Sequence, residues 1–118
     1  MSTFGGFTGE VPIAIAAAPV PGPVTNLQLT QPDPDVDTIL ASFVAPAQDN
    51  QGHPLKALSG VELRYRDTSF ISEIESLINE LPVVTKNLTA AEIGQPVTVE
   101  IPGVGFSKTL YVAARPFI

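Results

Sequence analysis

The chain has 118 residues, no cysteine, 15% charged against 44% hydrophobic residues, and a formal net charge of −6. That length fits one domain with a single core, and the missing cysteines exclude disulfides and thiolate metal sites. The acidic balance and six scattered basic residues argue against nucleic acid or anionic membrane as partner.

Charge this sparse leads us to expect apolar surface covered by other protein. Residues 1–23 stand apart as an extended arm rich in Pro, Ala and Gly, with Glu10 its only charge and "PVPGPV" its stiff end. Val11, Ile13 and Ile15 alternate with Pro12, Ala14 and Ala16, a period-two pattern. By composition the arm reads as a disordered tail; by its alternation and low charge it reads as a segment that lies against protein. Phe4 and Phe7, in "FGGF", look like aromatic anchors for pockets on a partner. The apolar run Val11–Val20 lacks a basic leader, contains two prolines and is too short to cross a bilayer as a helix. With Met1 at its start and no signal peptide, the chain reads as a complete, signal-less protein.

From residue 24 to 118 short strand-like segments alternate with turns. "VTNLQLT" alternates Leu27 and Leu29 with polar neighbours, "QPDPDVD" is a turn, and "TILASFVAP" is a second strand closed by Pro46. After the polar loop "AQDNQGHP", "LSGVELRYRD" sets Val61, Leu63 and Tyr65 on one face and Glu62, Arg64 and Arg66 on the other. Phe70, Ile71, Ile74, Leu77, Ile78 and Leu81 then fall at helical spacing, predicting a three-turn helix over about 69–81, capped by Thr68 or Ser69 and ended by Pro82. "PVVTKN" reads as a brief strand, "LTAAEIG" as a turn or single helical turn, and "QPVTVEIPG" and "KTLYVAARPF" as two more strands.

This order resembles a fibronectin type III domain, an immunoglobulin-like β-sandwich. "FVAP" (Phe43 to Pro46) resembles that family's strand-B ending, and "LSGVELRY" (Leu58 to Tyr65) its strand C. "VTVEIPGV" followed by "LYVAA" resembles strands E and F, and "PGPVTNLQL" the proline-led first strand. The resemblance implies an all-β sandwich, here with one short α-helix and the N-terminal arm. Four departures stand out. Phe43 replaces the family's Trp; Leu110 falls where a strand-F Tyr is expected, with Tyr111 one residue later; a helix follows strand C; and no segment remains for a strand G. The edge left beside strand F, at Leu110, Val112 and Phe117, invites the arm's Val11, Ile13 and Ile15, from the same chain or a neighbour. Burying those three side chains would contribute at most about 1.5–3 kcal/mol each.

Chemistry is sparse. His53, the only histidine, has no nucleophile in a motif beside it, and reads as a loop residue. Asp33, Asp35 and Asp37 alternate, but Thr38 stands where a calcium loop of the EF-hand type needs Gly, so a solvated turn is expected. Glu73, Glu75 and Glu80 read as the polar face of the helix. No cofactor and no catalytic residue is expected. The expectation is a structural protein acting through protein–protein contacts with copies of itself, in a ring or filament, or with other structural proteins. A virion component such as a phage tail or capsid-associated protein fits first and a self-assembling extracellular filament subunit next, with the cytoplasm left open. A ligand- or carbohydrate-binding accessory module ranks lower, because loop 47–57 carries no aromatic residue.

Overall fold

The structure, a computed structural model, describes residues 3–118. The alternating segments form six strands: β1 (Thr25–Thr30), β2 (Ile39–Val44), β3 (Gly60–Arg66), β4 (Val83–Asn87), β5 (Pro96–Ile101) and β6 (Tyr111–Phe117). They pair as two three-stranded antiparallel sheets, in the orders β1-β2-β5 and β4-β3-β6. The period-two pattern is sharpest in β5, where Val97, Val99 and Ile101 are buried and their neighbours exposed. These residues meet Ala41 and Phe43 of β2 and Val61 and Leu63 of β3, with Leu58 and Leu88, in one apolar cluster shared by both sheets. The protein is thus mostly β, with two antiparallel sheets in an arrangement compatible with a β-sandwich.

Local chemistry explains the irregularities. Asn26 adopts a left-handed φ of 57°, a region Asn tolerates, and β1 gains one residue against β2 between Thr25 and Gln28. That is a β-bulge. Within it Leu27 is half-buried, whereas Leu29, expected to share its face, is exposed at the sheet edge.

The helix expected over 69–81 is much shorter. A 3-10 turn at Ile71–Glu73 runs into the single-turn α1 (Ile74–Leu77). Phe70 and Leu81 are buried, but no residue of the helical turns between them is, so an apolar stripe long enough to hold three turns finds no surface to cover. Thr68 and Ser69 do not cap it. The residue before the first turn is Phe70, with no side-chain cap. The carbonyls of Thr68 and Ser69 instead accept hydrogen bonds from Arg66 Nε (3.2 Å) and Nη2 (2.7 Å). Arg64 Nη1 donates to the Leu81 carbonyl at 3.0 Å, so two arginines of β3 pin both ends of this segment.

Residues 3–20 form no strand and are exposed throughout. The molecule measures 79 × 32 × 32 Å with a radius of gyration of 21.1 Å, against about 13–14 Å for a compact chain of this length. The difference lies in the arm, which does not fold back on its own sheet.

Candidate protein-interaction site

The arm is free along its length and fixed at its root. The Val20 carbonyl accepts a hydrogen bond from Asn50 N (2.8 Å), and Gly22 N donates to the Gln48 carbonyl (2.9 Å). These bonds flank an antiparallel bridge between Pro21 and Asp49. Glycine is required here, since a Cβ on residue 22 would lie 2.9 Å from the Gln48 carbonyl oxygen.

The receiving segment is a small hairpin. Asp49 N donates to the His53 carbonyl (2.8 Å) and Leu55 N to that of Ala47 (3.0 Å), with Gly52 at a φ of 85° making the turn. The Asp49 carboxylate caps it, accepting from Gln51 N at 2.8 Å and His53 N at 2.9 Å. The His53 N–H, then the Gln51 N–H and the imidazole 3.5 Å away, hold its carboxyl below the usual value, against a smaller opposing effect of desolvation. His53 therefore belongs to the clamp that roots the arm.

The second half of the expected site is the outer edge of β6, with which no strand among the described residues pairs. Its hydrogen-bonding phase follows from β3. Leu88 N donates to the Ser59 carbonyl and Tyr65 N to that of Pro82, so odd-numbered residues of β3 face β4 and even-numbered ones face β6. In the register Gly60↔Phe117 to Arg66↔Tyr111, the odd residues of β6 then bond to β3. The even ones, Val112, Ala114 and Pro116, turn their backbone groups outward. Pro116 thus places its missing N–H on the free edge, where a proline is tolerated.

The same even residues face the core. Val112 and Ala114 rest on the apolar cluster but stay half-buried, while Val61 and Leu63 on the middle strand are fully buried. The core is closed at β3 and open beside β6. Leu110, just before the strand, is also half-buried. Phe117 points the other way: its ring covers Gly60, where a Cβ would come within 2.6 Å of the ring and of the Lys86 carbonyl. It fills the outer face rather than the open edge.

The arm residues Phe4, Phe7, Val11, Ile13 and Ile15 are 81–105% exposed. The structure does not bring them to β6 of the same chain. Elsewhere, Asp33 Oδ1 accepts from Asp35 N (3.0 Å) and Asp37 Oδ2 from Gly105 N (3.1 Å), so these aspartates brace a turn and a loop. Among the described residues no three His, Cys, Asp or Glu side chains converge as metal ligands, and no helix is long and apolar enough to cross a membrane. Two contributors to the site escaped the sequence reading. Asp49 was hidden within an ordinary polar loop, though its "DNQG" turn chemistry was a usable signal. Arg115, which donates through Nε to Glu62 Oε1 on β3, is the one charge on β6. Comparisons with protein-family models, curated proteins and solved structures found no match for this chain.

Proposed function

We propose that the chain is a non-catalytic structural subunit that joins an assembly through its arm. The observation that carries this reading is the pairing of a rooted base with an unclaimed length. Backbone hydrogen bonds hold Val20 and Gly22 to the 48–50 segment, and beyond them five large apolar side chains stand almost wholly in water. Apolar surface projected in this way marks a protein contact.

The sheet orders β1-β2-β5 and β4-β3-β6 support a fibronectin type III-like fold whose β6 edge, unpaired among the described residues, is open to an added strand. A low charge fraction and an arm uncovered by its own chain suit a symmetric, many-copy structure. A virion component of the tail or capsid-associated kind is the setting that fits best. Light scattering on the full chain beside a chain beginning at Pro21 tests the proposal. We expect multi-subunit species from the first and a folded monomer from the second. Two stable monomers would overturn it.

A further inference from the structure

We propose that the arm of a second copy adds antiparallel to the outer edge of β6, with Val11, Ile13 and Ile15 opposite Ala114, Val112 and Leu110. This rests on the assembly reading above and names its partner, site and register.

Two independent requirements select the same phase. A strand joining β6 must turn every second residue's N–H and C=O toward it, and Pro12 has no N–H to offer. The odd residues Val11, Ile13 and Ile15 therefore face β6, leaving Pro12 on the far side, where nothing is lost. In an antiparallel pair, residues that exchange both hydrogen bonds stand opposite each other with side chains on one face. The outward-facing β6 residues are Val112 and Ala114, whose side chains lie on the core. The phase that keeps the arm's donors thus also lays its three aliphatic side chains into the open side of the core. A parallel strand cannot satisfy both. Its hydrogen bonds run to the residues on either side of the one opposite, so putting Val11, Ile13 and Ile15 on the core would turn Pro12 toward β6.

That excludes the chain's own arm. Pro19 and Ile118 line one hollow with Pro54, Leu55, Lys56 and Ala57, so the arm is rooted at the C-terminal end of β6. Folded back along its own strand it would run parallel. Another copy is under no such constraint.

Charge then fixes the register. With Ile13 opposite Val112, Glu10 stands opposite Arg115: the arm's only charge meets the only charge of β6, on the outer face, where Arg115 already pairs with Glu62. Slipping by two residues either way brings Glu10 opposite Phe117 or Ala113. The same register sets Gly9 against Pro116 and brings Phe7 to Ile118, beside the apolar hollow of about 260 Å³, giving the exposed aromatic a seat.

The cysteine-free chain makes a disulfide test clean. One preparation carries Ala14→Cys and another Tyr111→Cys, positions opposite on the outer face at about 4.5 Å between Cα atoms, within disulfide reach. After mixing and copper–phenanthroline oxidation, we expect a mixed dimer at this pair and little at Ala14→Cys with Ala113→Cys. In parallel, Ile13→Asp should weaken association by about tenfold or more, since it buries a charge, while Ala14→Asp on the outer face changes it far less. Glu10→Lys should weaken it about two- to five-fold, less at high salt. All three lie on the exposed arm and leave the domain folded. An arm-dependent oligomer that fails to cross-link at 14/111, or that tolerates Ile13→Asp, would overturn the pairing while leaving the assembly reading intact. A monomeric full chain would overturn both.

Discussion

Gly60 shows how one residue sets the packing of two strands. It is the place on β3 where the Phe117 ring closes over the backbone, with the Lys86 carbonyl as close to where a Cβ would stand. Because the carbonyl belongs to β4 and cannot give way without moving that strand, Gly60→Val should cost about 1–3 kcal/mol, read as a lower urea midpoint with an unchanged slope. Asp49 gives a pH-dependent counterpart. Its carboxyl is held below the unfolded value of 3.8, so the ionised form favours the folded state. Its stabilisation is present in full above the unfolded value and is lost as pH falls through the lower folded one. The stability difference between wild type and Asp49→Ala should therefore be largest near neutrality and shrink below about pH 4, as followed by urea unfolding at a series of pH values.

β1, β3 and β5 were legible as elements, because each carries period-two alternation followed by Pro or Asp. The helix was not: its spacing is genuine, but periodicity records which residues share a face, not whether a surface exists to receive that face. Ile71 is 64% exposed. The segment is held by the carbonyl contacts of Arg64 and Arg66, which appear in the sequence only as the polar half of β3. Arg64, with 14% of its side chain exposed, should prove the more important pin. Arg64→Leu should speed amide hydrogen exchange across residues 67–82 and lower stability by about 1.5–3 kcal/mol. The edge of β6 was legible in part. Leu110 and Val112 were legible because "LYVAA" reads as a strand, whereas the direction of Phe117 depended on Gly60, fifty-seven positions earlier, and on a register no local pattern encodes. Glu10 and Arg115 are ordinary charges until the proposed register sets them opposite each other.

At the level of the whole molecule, the arm lies outside the core. The core cluster draws nothing from residues 3–20, so a chain beginning at Pro21 should keep its melting temperature within a few degrees, a shift equivalent to less than about 1 kcal/mol. Phe43→Ala, at a position 2% exposed, should by contrast remove about 3–5 kcal/mol. The location of the arm's root carries a mechanical consequence. Each copy would receive a strand whose linker leaves past the N-terminal end of β6, while its own arm departs beside Ile118, at the opposite end. Tension along such a chain of copies would run lengthwise through the added strand and load its cross-strand bonds together, in shear, rather than peeling them one at a time. The joint would then resist pulling far better than its modest length suggests, while staying open to exchange when slack.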